Sequence, residues 1–336
     1  MDESVLKIGV VGSGSWATAM IKILGDNAAE KKILWWVRQA DDIDYIRRYG
    51  HNPRYLSAVQ VSVEPDHLFL EAKTVIQQAD IVILNTPSAY LKDALKGVTA
   101  TDFEGKTVVS AIKGIVPHED LIVGDYLLQN YGIPLDKIVV VGGPCHAEEV
   151  ASEKLSYLTL AGKNTRTVEQ VAAHMQGRYV QTVISDDIYG VEYGAVLKNI
   201  YALAAGICHG QGFGDNFIAV LIANAIQEMR TCLSAIDAET DRDINASAYL
   251  GDLLVTAYSQ FSRNRTFGHM IGKGYSVQSA QLEMNMVAEG YYASACVQHI
   301  IQRYALDMPI CQMVYNILYK RQTVSTEIKK LLEKLT

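Results

Sequence analysis

The stretch KIGVVGSGSWATAM, running from Lys7 to Met20, decides the architecture. KIGVV reads as a largely apolar strand, and it leads directly into Gly12, Ser13, Gly14, Ser15, Trp16 and Ala17. Taken alone, a GxGxxA string is a glycine-rich turn. Between an apolar strand and a helix-forming segment it becomes a dinucleotide fingerprint. Gly12 permits the tight turn, Gly14 lets the backbone approach a pyrophosphate, and Ala17 allows close helix packing. Ser15 and Trp16 then stand at a helix N-terminus, where amide donors and the helix dipole favour an anion.

Outward from this loop, β-rich runs at residues 33–37, 81–85, 107–111 and 138–141 alternate with helical patterns. That alternation predicts an α/β fold built on a mostly parallel sheet. Beyond about Tyr189 the β-rich runs stop, and long apolar-periodic stretches at residues 190–207 and 216–236 take over. The C-terminal KRQTVSTEIKKLLEKLT reads as an amphipathic helix. The expected organisation is an N-terminal Rossmann domain over residues 1–187 and an all-helical domain over residues 188–336.

Composition narrows the function classes. With 49% hydrophobic and 20% charged residues the chain is globular, and its net charge of −7 argues against nucleic acid or an anionic membrane as its main partner. An anion site must therefore be local. The five cysteines include no CxxC pair, which fits a reducing cytoplasm. The N-terminus is acidic rather than signal-like, and the most apolar stretch, residues 195–207, is too short to span a bilayer and contains Lys198, so no membrane insertion is expected. His174, His209 and His269 lack the spacing of a metal site and read as structural. Cys145 beside His146 does not make a nucleophilic pair, because neighbours in sequence point apart.

The second strand ends at Arg38, close to where an NAD-selective site places an acidic residue on the ribose 2′-hydroxyl. A guanidinium there favours a 2′-phosphate, so NADPH is the preferred cofactor, with NADH as the alternative. Two other readings stay open: a solvated Arg38, or Asp41 or Asp42 reaching back to the ribose.

Carbonyl reduction needs a proton donor and positive charge for the developing alkoxide. Lys198 lies within the apolar helix GAVLKNIYALAAG, where burial would lower its pKa toward the working range; the competing reading is a lysine that snorkels to water. Asp252 sits in the apolar LGDLLVT, where a carboxylate needs a partner; a pair with Lys198 is expected, and a helix N-cap is the alternative. Thr256 would share the face of Asp252 on a helix. Ser262, Arg263, Asn264 and Arg265 offer a set of donors suited to a phosphate dianion, unless they are a solvated charge run.

Several spaced motifs then agree: GSGSWATA from Gly12, NTPSAYL around Pro87, AIKGI at residues 111–115, GGPCHAEEV from Gly142, GAVLKN ending at Asn199, YLGDLLVT, SRNRTFG and VAEGY from Val287. In this order and spacing, over nearly the whole chain, the sequence resembles the bacterial type of NAD(P)-dependent glycerol-3-phosphate dehydrogenase. The resemblance implies interconversion of dihydroxyacetone phosphate and sn-glycerol 3-phosphate, feeding phospholipid synthesis. It implies Lys198 as the proton-transfer residue, with Asn199 beside it to hydrogen-bond the substrate or orient that lysine, and Lys113 as a second active-site lysine serving both substrate and cofactor. It implies Asp252 and Thr256 at the substrate, and Ser262, Arg263 and Asn264 around its phosphate, with Arg263 also reaching the cofactor. Gly143, Cys145 and Ala147 fall on the substrate and cofactor loop, and Val287 and Glu289 near the cofactor. Family habit implies a homodimer.

The sequence departs from the family where Cys145 and His146 replace a small hydroxyl residue and an aromatic one, and where Asn216 is followed by Phe217 and Ile218. The competing functions are a related two-domain hydroxy-acid reductase and a catalytically silent dinucleotide sensor.

Overall fold

The computed structural model describes residues 5–238, 240–284 and 288–336. Ten strands occur among them: β1 (Lys7–Val11), β2 (Lys32–Trp36), β3 (Leu68–Phe69), β4 (Ile81–Leu84), β5 (Thr107–Ser110), β6 (Ile115–Val116), β7 (Leu121–Ile122), β8 (Ile138–Gly142), β9 (Ser156–Ala161) and β10 (Val180–Ser185). The chain divides into two units, one of residues 1–112 and 123–188, the other of residues 113–122 and 189–336. Sequence reading, with its single boundary near residue 187, gives no sign of the excursion that joins Lys113 to the second unit.

The first unit is a Rossmann fold. Eight strands form one sheet in the order β10-β9-β8-β5-β4-β1-β2-β3. All neighbours are parallel except β8 with β9. In the central strands, IGVV of β1, IVIL of β4 and IVVVG of β8 are buried, as a sheet covered on both faces requires. Ile8, Val10, Trp35, Ile83 and Val109 of the sheet pack with Ala17, Met20, Ile21 and Leu24 of the helix Ser15–Asp26 in one core. The strand order reverses between β1 and β4, so the carboxyl ends of these two strands flank a topological switch point, where doubly wound folds bind ligands.

The second unit is helical apart from the antiparallel β6–β7 hairpin. Its longest helix, Ile188–Gly210, is buried from Gly190 to Cys208, as expected of a helix that is apolar on every side. Helix Arg263–Gly272 crosses it on glycine. A Cβ on Gly210 would lie 2.5 Å from the His269 carbonyl oxygen, and one on Gly206 or Gly268 would run into the carbonyl of Arg265 or Leu203. No other residue permits this separation of the two backbones. A buried carboxylate, Glu228, accepts from the backbone N–H of Ile310 at 2.5 Å and of Cys311 at 3.3 Å, capping the helix Pro309–Leu318. Among the described residues no helix is long and apolar enough to cross a membrane.

Candidate active site

The glycine loop is built from the strand outward. Gly12 has φ +152°, and a Cβ on it would collide with the carbonyl of Asn85, so β1 and β4 can be this close only with glycine here. Trp35 Nε1 donates to Gly12 O at 2.7 Å and holds the turn from the β2 side. Gly14 precedes the helix Ser15–Asp26 with extended backbone, and a Cβ built on it would meet no protein atom within 4 Å. The loop therefore presents a helix N-terminus, with no acidic residue in its first turn, behind a residue whose lack of a side chain leaves the approach clear.

At the ends of β4 and β5, Asn85 Nδ2, Thr86 Oγ1 and Ser110 Oγ are buried with no hydrogen-bond partner among the described residues, as is Trp16 Nε1. Buried polar atoms seldom stay unpaired, and a polar ligand over the switch point would satisfy them. These residues fit a dinucleotide. Sequence reading takes Asn85 and Thr86 only as part of the NTPSAYL motif and gives neither them nor Ser110 a place in the site, although polar residues at the end of an apolar strand are the signal that could have found them.

Arg38 follows β2, is exposed and makes no ion pair among the described residues. Asp42 is buried against the guanidinium of Arg54, whose Nε donates to its two oxygens at 2.9 and 2.8 Å, so it does not reach back to the loop. Asp41 is exposed. In the loop after β8, Gly143 has φ +96°, Cys145 is half-buried with Sγ 3.2 Å from the Tyr157 carbonyl, and Ala147 opens the short helix Ala147–Ala151.

The second unit brings together Lys113, Lys198, Asn199, Asp252, Thr256 and Asn264. Asp252 is 1% exposed, with Lys113 Nζ 3.1 Å from Oδ2 and Lys198 Nζ on Oδ1. Lys198 also donates to Thr256 Oγ1 at 3.1 Å, and Thr256 in turn donates to the Asp252 carbonyl at 2.6 Å. The wide turn Ser247–Gly251, a π-type turn of the sort that often re-aims a functional side chain, runs straight into the helix Asp252–Tyr258. Asp252 is thus an ion-pair partner rather than an N-cap, and Lys198 is buried rather than snorkelling.

Burial pushes the Lys198 ammonium down to about 8, against the opposing pull of Asp252 and with help from the like charge of Lys113. For Asp252, burial alone would raise the carboxyl, but the two lysines outweigh it and hold it below the usual carboxylate range.

An amide relay extends the cluster. Asn199 Nδ2 donates to the carbonyls of Lys113 (2.7 Å) and Ala195 (3.0 Å); its Oδ1 accepts from Asn264 Nδ2 at 2.8 Å, and Asn264 Oδ1 accepts from the backbone N–H of Gly290 at 2.9 Å. Ser262 Oγ caps the helix Arg263–Gly272, accepting from Arg265 N at 3.2 Å, and Arg263, half-buried, opens that helix. Glu289 opens the helix Glu289–Tyr304, and Val287 lies outside the described residues. His209 and His269 face each other, Nδ1 to Nδ1 at 3.0 Å, whereas His174 Nδ1 is buried without a partner among the described residues.

A Rossmann unit with an open glycine loop, together with a helical unit carrying a buried lysine of lowered basicity on a paired carboxylate, defines a two-domain dehydrogenase that uses a nicotinamide dinucleotide. Residues 7–168 match the family described as NAD-dependent glycerol-3-phosphate dehydrogenase N-terminus, and residues 187–329 match its C-terminus. The sequence is 32% identical to glycerol-3-phosphate dehydrogenase [NAD(P)+] of Bacillus subtilis (strain 168), over 97% of this chain and 94% of that protein. It is 31% identical to the enzyme of the same name from Staphylococcus carnosus (strain TM300), over 97% of each. The crystal structure of glycerol-3-phosphate dehydrogenase from Coxiella burnetii superposes with a TM-score of 0.89 at 26% identity, covering 98% of this chain and 99% of that one. The chain belongs to the NAD-dependent glycerol-3-phosphate dehydrogenase family.

Proposed function

We propose that the chain reversibly reduces dihydroxyacetone phosphate to sn-glycerol 3-phosphate, using NADPH ahead of NADH. The observation that carries this reading is the buried Asp252 carboxylate shared by Lys113 and Lys198. A silent dinucleotide sensor would have no use for so costly an arrangement of buried charge.

Gly12, Gly14, Ser15 and Trp16 hold the dinucleotide, with Ala147 and Glu289 near it, Val287 included by family resemblance, and Arg38 on the 2′-phosphate. When bound, the dinucleotide supplies the hydride. Lys198 Nζ gives a proton to the ketone oxygen, and the charges of Lys198 and Lys113 stabilise negative charge developing there. Asp252 and Thr256 fix the direction of the Lys198 ammonium, and Asn199 holds the main chain at Lys113. Arg263, Asn264 and the helix N-terminus capped by Ser262 take the substrate phosphate, with Arg263 also reaching the cofactor. Gly143 and Cys145 line the substrate loop. All five cysteines are free thiols, which suits a cytoplasmic enzyme, and family habit makes it a homodimer.

The test is the initial rate of NADPH and NADH oxidation with dihydroxyacetone phosphate, against unphosphorylated dihydroxyacetone. Oxidation that requires the phosphate and favours NADPH supports the reading; equal rates with both ketones would remove the phosphate site from it.

A further inference from the structure

The dinucleotide loop is tied to a second loop by one buried amide. Asn52 Nδ2 donates to Ser13 O at 3.2 Å and to Thr18 Oγ1 at 2.8 Å. Its Oδ1 accepts from the backbone N–H of Arg54 at 3.0 Å and of Tyr55 at 3.2 Å. Arg54 is therefore fixed with respect to the GxGxxA loop and the first turn of its helix. From that anchor its Nε donates to both oxygens of Asp42, and Nη2 donates to Gln39 Oε1.

Gln39 and Asp42 flank the start of the helix Ala40–Tyr49, directly after Arg38. A carboxylate free to move in this stretch has two ways of spoiling a 2′-phosphate site. It can pair with Arg38 and cancel its charge, or it can repel the phosphate dianion outright. Held on Arg54, and with its side chain only 11% exposed, Asp42 does neither. Arg38 meanwhile stays exposed and outside any ion pair among the described residues.

We propose that Arg54 is a positioning residue that sets cofactor specificity: by holding Asp42 and Gln39 it keeps an acidic group off Arg38 and leaves that guanidinium for the 2′-phosphate. This rests on the reading of Arg38 given above. It differs from a general structural role, which would affect both dinucleotides alike, and from direct contact of Arg54 with the phosphate, which neutralising Asp42 could not replace.

The experiment compares Arg54→Gln, Asp42→Asn and the double variant in the full-length protein. Its readouts are kcat/KM for NADPH and for NADH with dihydroxyacetone phosphate, and the two dissociation constants from nicotinamide fluorescence. Arg54→Gln is expected to lower the NADPH to NADH ratio about tenfold, mostly through KM for NADPH. Adding Asp42→Asn is expected to return the ratio to within about twofold of the starting protein. Equal losses for both dinucleotides, or a double variant that stays as low as Arg54→Gln, would overturn the proposal. Arg38→Asp separates the two ideas: if it leaves the starting ratio unchanged, the Arg38 reading itself fails.

Discussion

Lys198 and Asp252 bury their charges on each other, the side chains being 6% and 1% exposed, and Lys113 closes on the other carboxylate oxygen at 3.1 Å. The arrangement leaves a net positive charge inside the second unit. Removing the carboxylate strands two ammonium groups, so Asp252→Asn should cost about 3 kcal/mol of stability and lower kcat by roughly 100-fold or more. Chemical denaturation and steady-state rates measure the two effects separately. A variant with normal kcat would show that the ion pair is not part of the chemistry.

The acid–base behaviour follows from the same pair. In the proposed mechanism ketone reduction draws on the Lys198 ammonium, which loses its proton as the pH rises through about 8. The kcat/KM for dihydroxyacetone phosphate reduction should therefore fall above that pH, and the alcohol-oxidising direction, which needs the neutral amine, should rise toward it. Asp252 favours the charged lysine, so Asp252→Asn should move the midpoint to lower pH. A midpoint that the substitution leaves in place would assign the titration to another group.

The glycine crossing carries a structural prediction. Gly206 and Gly268 sit where each helix meets the other's backbone, and alanine at Gly268 would also press within 3.0 Å of Ile207 N. Gly206→Ala or Gly268→Ala should cost about 2 kcal/mol or more, and should raise KM for the substrate by shifting Arg263 and Asn264. Gly177→Ala, which meets nothing within 4 Å, serves as the control. Loss of stability at Gly177 equal to that at Gly268 would contradict the packing argument.

Much of the fold was legible because apolar runs and glycine punctuation report directly on buried strands and turns. The runs that became β1, β2, β4, β5 and β8, and the helices Ile188–Gly210 and Asp215–Ile236, were all visible in this way. Strands β9 and β10 were not: SYLTLA and VQTVIS mix polar with apolar residues, and Val183 and Ile184 remain exposed. The pairing of Lys198 with Asp252 could be foreseen, because an apolar segment cannot keep a lone charge. Which unit Lys113 joins, the amide relay from Asn199 through Asn264 to Gly290, and the hold of Arg54 on Asp42 all depend on tertiary placement. No local pattern encodes them. The spacing of Gly206 with Gly210 and of Gly268 with Gly272 was present in the sequence, yet only the crossing gives it meaning.

The most direct test of the central claim, that Lys198 moves the proton, is Lys198→Ala measured two ways. With Lys198→Met as a second variant should the smaller residue impair folding, kcat for dihydroxyacetone phosphate reduction should fall by about 1,000-fold or more, while the dissociation constant for NADPH stays within about twofold. Turnover that survives in a folded variant, or dinucleotide binding that is lost along with turnover, would contradict the assignment.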